Sequence, residues 1–215
     1  PRGRPLPRGP AEARGARGLT GTSLEVETRV GTARVHLSGD GGGLLVLGHG
    51  AGGGVDALDL RAARDAAHEV GMRVALVEQP WRVRGKKVAE APPRLDQAWV
   101  DVLAGLEGVP LVAGGRSAGA RVACRTAAEV GADAVLCLAF PLHPPGRPER
   151  SRLAELTAVP VPVLVVQGDR DAFGVPPGAT LVPGADHGFR VAKGGPAAGP
   201  QVQDAVRAWL AQIGT

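Results

Sequence analysis

The stretch VPLVAGGRSAGARVA, residues 109–123, decides how this chain is read. An apolar run, Leu111-Val112-Ala113, enters a glycine-rich corner, and small helix-forming residues follow at once. Gly115-Arg116-Ser117-Ala118-Gly119 fits G-x-S-x-G, a strand-to-helix turn that holds a serine in a strained conformation at the top of an α/β sheet. Glycine is needed on both sides because the strand and helix backbones pass close to the serine. The alternative is an ordinary βα loop, since a chain with 33 glycines produces such pentapeptides by chance. The surrounding sequence has to discriminate.

Upstream, LEVETRVG (24–31) and TARVHLSG (32–39) alternate polar and apolar residues and predict an antiparallel hairpin, with His36 on its polar face. LLVLG (44–48) is a continuous apolar run, as expected of a strand buried on both faces. DALDLRAARDAAHEVG (56–71) has helical spacing, with His68 as a solvated helix residue. The alternation continues through a strand in 72–79, a helix in 94–108, a strand in 110–115 and a helix in 120–131. Further strands are predicted in 133–140, 161–168 and 179–184, and a terminal helix in 201–214. About eight strands result. They imply an α/β fold, a mostly parallel sheet with helices on both faces and an antiparallel hairpin at one edge. The segment from Pro141 to Val159 has room for one short helix but not for an inserted lid or cap.

Composition narrows the function class. At 215 residues the chain has the length of one domain, and its 44% apolar content supplies a core. With 3% aromatic residues and no Tyr, that core must be built of Val, Leu and Ala. The net charge of +4 comes entirely from residues 1–18, where five arginines face Glu12. Residues 1–20 therefore read as a flexible basic leader and 21–215 as the folded domain. A balanced domain gives no reason to expect a nucleic-acid partner. No apolar run approaches the roughly 20 residues that span a membrane, and the leader has no apolar core of a secretory signal. Cys124 and Cys137 lack C-x-x-C spacing and read as small core residues, so a reducing, cytoplasmic setting is expected.

The loop after 44–48 admits two readings. Gly48-x-Gly50-x-x-Gly53, with Glu78 at the end of the next strand, is close to a dinucleotide fingerprint. Alternatively, His49-Gly50-Ala51-Gly52 forms an oxyanion loop, whose N–H groups pair with that of the residue after a nucleophilic serine. The second is favoured, because a dinucleotide fold normally opens with its fingerprint strand and would leave Ser117 unexplained. A serine nucleophile needs a base, and the base needs an orienting carboxylate. After Ser117 the histidines are His143 and His187. Asp169 and Asp171 follow the strand in 161–168, and His187 follows the one in 179–184, all at the strand ends where sites in parallel sheets are built.

HGAGG, GRSAG, QGDRDAFG and GADHGF, in this order and spacing, resemble the α/β-hydrolase superfamily over residues 24–215. Within it the chain is similar to the small, capless, dienelactone-hydrolase-like group. Dienelactone hydrolases proper use a cysteine nucleophile where this chain has Ser117. EQPWRV (78–83) and FPLHPPGRPE (140–149) resemble a subgroup of predicted hydrolases that includes a testis-expressed protein and a subunit of a histone-acetyltransferase complex. The resemblance implies Ser117 as nucleophile, His187 as base and Asp171, the later carboxylate of G-x-x-D, as the orienting acid. Asp169 is then a turn-stabilising residue. The N–H groups of Ala118 and Ala51, or Gly52, would hold the oxyanion. Trp81, Arg82, Arg116 and His143 are expected at the rim of an open mouth. The expected activity is hydrolysis of a small acyl ester or thioester without metal or cofactor. The competing expectation is an interaction protein that keeps the fold without catalysis.

Overall fold

The computed structural model describes residues 21–213; the leader expected in residues 1–20 lies outside them. Eight strands form one sheet: β1 (Thr22–Thr28), β2 (Gly31–Ser38), β3 (Leu44–Gly48), β4 (Arg73–Glu78), β5 (Leu111–Arg116), β6 (Ala134–Leu138), β7 (Val163–Gly168) and β8 (Thr180–Val182). Their order across the sheet is β1-β2-β4-β3-β5-β6-β7-β8. β1 and β2 run antiparallel to their neighbours and every other pairing is parallel, as the sequence predicts.

The helices are α1 (Leu58–Glu69), α2 (Pro80–Val83), α3 (Pro92–Leu103), α4 (Ala118–Thr126), α5 (Leu153–Thr157) and α6 (Ala198–Ile213). They divide the core into two apolar layers. Leu60, Ala63 and Ala67 of α1 pack with Val202 and Val206 of α6 on one face. Trp99 of α3, Val122 and Ala123 of α4 and Leu156 of α5 pack on the other. Central β3 feeds both layers, with Leu44 and Val46 on one side and Leu45 and Leu47 on the other, which is why its sequence is continuously apolar. Its crossover uses α1 on one face, while β5 leads into α4 on the opposite face. The chain thus diverges between β3 and β5 at their carboxyl ends, the crevice where open α/β sheets place their sites.

Several expectations shift in detail. The hairpin turns at Arg29-Val30, two residues before the predicted break, because Gly31 adopts φ +121° and already pairs with Thr28. The Thr28 hydroxyl donates to the Gly31 carbonyl (2.6 Å), and Arg29 clamps Asp101 of α3. His36 is only partly exposed and lies 3.2 Å from Glu78. His68 is half-buried against the Ser38 hydroxyl rather than solvated. The one-turn α2 has no counterpart in the sequence reading. α5 is the short helix expected between β6 and β7. Cys124 and Cys137 are free, buried and 3.4 Å apart at sulfur. Among the described residues no helix is long and apolar enough to cross a membrane.

Candidate active site

Ser117 sits between β5 and α4 with φ +52° and ψ −109°, a conformation that strains any residue with a side chain. Backbone crowding makes the turn possible only with its glycines. A Cβ on Gly115 would lie 2.6 Å from the Gly48 carbonyl oxygen, and one on Gly119 would overlap the same atom. The Ser117 N–H is anchored on the Leu138 carbonyl of β6 (2.9 Å).

The Ser117 hydroxyl stands 3.0 Å from His187 Nε2, and His187 Nδ1–H donates to Asp171 Oδ2 at 2.8 Å. Three residues from three separate loops are thus joined in one hydrogen-bonded chain. The Asp171 carboxylate is fully buried and has two further donors, Gln167 Nε2 (2.7 Å) and the Phe173 N–H (2.8 Å). The Phe173 ring lies over the His187 imidazole at 4.1 Å between centroids. Asp169 takes no part: it accepts the Gly184 N–H (2.7 Å) and braces the turn after β8.

Opposite this arm lies the loop after β3. The N–H groups of Ala51, Gly52 and Ala118 donate to no acceptor among the described residues, and Ala51 and Ala118 line one small cavity. Buried His49 organises the loop. Its Nε2 accepts the Gln79 N–H (3.1 Å), so the ring proton sits on Nδ1, which donates to the Gly50 carbonyl (2.9 Å). A planar trans peptide points its C=O and the following N–H in opposite directions. Fixing the Gly50 carbonyl therefore aims the Ala51 N–H the other way. Burial lowers the His49 pKa and keeps the ring neutral, which preserves this pattern.

The four residues expected at the rim sit in different surroundings. Trp81 is buried, packed edge-on against His49 at 5.4 Å, and forms a wall of the cavity instead of its mouth. Arg116 is not a free surface cation. It forms an ion pair with buried Asp59 at 2.9 Å, not aligned as a hydrogen bond, and donates to the His187 carbonyl (3.0 Å). It thereby ties the histidine loop to α1 at the floor of a groove of about 730 Å³. His143 is half-buried over Gly174 beside the acid loop, its N–H on the Phe173 carbonyl (2.9 Å). Arg82 is exposed near Gly54.

The dinucleotide alternative loses its footing. Glu78 is engaged by Arg34 and His36 of β2. Helix α1 starts five residues beyond Gly53, and the carboxylate in its first turn, Asp59, is buried and paired with Arg116. Burial pushes the Asp59 carboxyl up, against the opposing pull of Arg116. No group of three or more potential metal-ligating residues occurs among the described residues.

A family model described as an alpha/beta hydrolase domain matches residues 42–207. No curated protein is significantly similar in sequence. Among solved structures, an α/β serine hydrolase without lid from Xanthomonas campestris is 21% identical, with a TM-score of 0.67 over 88% of this chain and 94% of that one. An α/β serine hydrolase homologue from Coxiella burnetii is 17% identical, with a TM-score of 0.69 over 91% and 100% of the two chains. A dienelactone hydrolase from Anabaena variabilis is 18% identical, with a TM-score of 0.68 over 90% and 98%.

Proposed function

The chain belongs to the alpha/beta hydrolase domain family, and from that premise we propose that it is a serine hydrolase of small acyl esters or thioesters. The hydrogen-bonded chain Ser117–His187–Asp171, with the serine strained at a strand-to-helix turn, carries this reading. Ser117 Oγ attacks the substrate carbonyl carbon while His187 Nε2 takes its proton. Asp171 holds the ring in the required tautomer and stabilises the imidazolium. The oxyanion is held by the N–H groups of Ala118 and of Ala51 or Gly52. Collapse of the intermediate expels the alcohol or thiol, which receives the proton from His187. A water molecule then gives a proton to His187 and attacks the acyl-serine. The second collapse releases the carboxylic acid and returns the proton to Ser117.

Two features support short acyl groups. The segment between β6 and β7 carries only α5 and builds no lid, and the cavity beside Ala51 and Ala118 measures about 10 Å³. A long chain would stay partly in water and gain little of the roughly 0.8 kcal/mol per buried CH₂, so kcat/KM for p-nitrophenyl esters should peak at about two to four carbons. EQPWRV supplies Gln79 and Trp81 to this cavity, and kinship with the subgroup it resembles is part of the same proposal. A fluorophosphonate probe at neutral pH tests the reading. Labelling confined to Ser117 is expected; an unlabelled wild type would favour a non-catalytic interaction protein.

A further inference from the structure

The turn that carries Ser117 and the loop that carries His187 are joined twice. One link is the contact between Ser117 Oγ and His187 Nε2 (3.0 Å). The other avoids the reacting atoms. Arg116, the residue before the serine, donates from Nη2 to the His187 carbonyl (3.0 Å). Its Nε lies 2.9 Å from Asp59 Oδ2, and that carboxylate is buried in the first turn of α1. G-x-S-x-G leaves this position open to any residue, so the turn itself does not call for an arginine.

Little else holds the backbone of the histidine loop. Asp186 Oδ1 accepts the N–H groups of Gly188 (2.8 Å) and Arg190 (2.9 Å). The Asp186 N–H donates to the Arg190 carbonyl (3.0 Å), and the Phe189 N–H to the Asp186 carbonyl (2.9 Å). All of these bonds close within residues 186–190. Among the described residues, Arg116 is the only donor from outside that reaches the backbone of this segment. Buried Phe189 anchors the loop to the core by packing alone.

We propose that Arg116, braced by Asp59, is a positioning residue that holds His187 in place while Ser117 is acylated. The inference rests on the serine-hydrolase reading above. The ester oxygen of an acyl-serine has no hydrogen, so the first link loses its donor at the stage when His187 must take a proton from water. Asp171 then holds the ring at Nδ1 (2.8 Å), and Arg116 holds the same residue at its carbonyl. Two fixed points on one residue set where Nε2 stands; one point lets the residue pivot. During acylation the Ser117 hydroxyl also holds the ring. Deacylation therefore depends on Arg116 more than acylation does.

Arg116→Met alone would strand the buried Asp59 carboxylate. The test variant is therefore Asp59→Leu/Arg116→Met, in which an apolar pair replaces the ion pair. The substrate is p-nitrophenyl acetate, because p-nitrophenolate leaves without needing a proton from His187. Deacylation is then the slower step, so kcat reports deacylation and kcat/KM reports acylation. The double variant should lose about tenfold in kcat and less than about threefold in kcat/KM, so that KM falls; a misplacement of about 1 Å can cost roughly 10²-fold. Loss of folded protein would instead lower both constants by one factor and leave KM unchanged. Arg116→Lys keeps a charge opposite Asp59 but not the planar fork that reaches two acceptors, and should show the same split at about threefold in kcat. With an active wild type, an unchanged kcat in the double variant, or kcat and kcat/KM lowered by one factor, overturns this proposal alone. If the double variant does not fold, the same outcomes in Arg116→Lys decide. A wild type that neither hydrolyses the ester nor is labelled at Ser117 by fluorophosphonate overturns the serine-hydrolase reading and this proposal with it.

Discussion

The two arms that flank Ser117 are held by different means. The acid–histidine arm is built from side chains: Asp171 is bonded by Gln167, by the Phe173 N–H and by His187, and Phe173 covers the imidazole. The arm proposed to hold the oxyanion is built from backbone. Ala51 and Gly52 are exposed, and the loop is tied by a Gly53-to-Gly50 turn and by one side chain, His49. Charge that persists through a turnover cycle needs permanent partners. Charge that appears only on the developing oxyanion needs donors left free until then. The free N–H groups of Ala51, Gly52 and Ala118 have the second character, and the saturated Asp171 carboxylate has the first.

Removing the atom between the arms gives the largest effect. Ser117→Ala should keep the fold and lower turnover by about 10⁶-fold, the scale seen when a triad nucleophile is lost. Ester hydrolysis at the wild-type rate would break the assignment.

The side-chain arm comes next. Asp171→Asn should cost on the order of 10⁴-fold in kcat, since an amide at that position favours the wrong imidazole tautomer. Asp169→Asn keeps an acceptor for the Gly184 N–H and should stay within about tenfold. Steady-state rates of the two variants in the reverse order would exchange their roles.

The backbone arm is probed through His49, a positioning residue. His49→Phe leaves the Gly50 carbonyl held only by the long Gly53 N–H contact and should lower kcat by about 10²-fold with little change in KM, the scale of one lost oxyanion donor. His49→Asn, whose amide nitrogen follows Cγ as Nδ1 does, should recover most of that loss. Equal kcat in both variants would mean that the ring packs against Trp81 and does no more.

The smallest expected effect is on the pH dependence of stability. His49 has a lowered pKa in the folded protein, so below the ordinary histidine range the unfolded chain binds more protons there than the folded one. Its contribution is present near neutral pH and is lost as pH falls from about 7 toward 5. Thermal unfolding of His49→Asn over that interval should show a shallower acid decline than wild type. Parallel curves would show that His49 does not titrate on unfolding in this range.

The contrast between the arms also explains what could be read beforehand. Ser117, Asp171 and His187 were legible because each is a reactive side chain at a strand end, and strand ends are marked by apolar runs. The sheet was legible for the same reason, since Leu44–Leu47 must be apolar to serve both layers. The positioning roles of His49, Gln79 and Gln167 are not legible, because they lie in which atom each side chain meets, and no spacing in the chain encodes that. The rim position expected of Trp81 does not hold because α2, too short to leave a periodic signal, turns it inward. The pairing of Arg116, expected at the rim, is not legible because its partner Asp59 lies in a distant helix. The hairpin break was misplaced because Thr28 closes the turn through its hydroxyl, a choice local to one side chain.

The ends of the sheet bear on how the protein behaves at high concentration. An open sheet offers unpaired N–H and C=O groups along its outer strands, and a long, flat, uncharged one recruits other chains into aggregates. β8 is only three residues long. β1 is longer but carries Glu25 and Glu27, with Glu25 well exposed beside Arg34. Two copies meeting along β1 would bring those carboxylates together. Both outer strands of the sheet thus carry features that oppose edge-to-edge pairing, far from the serine between β5 and α4.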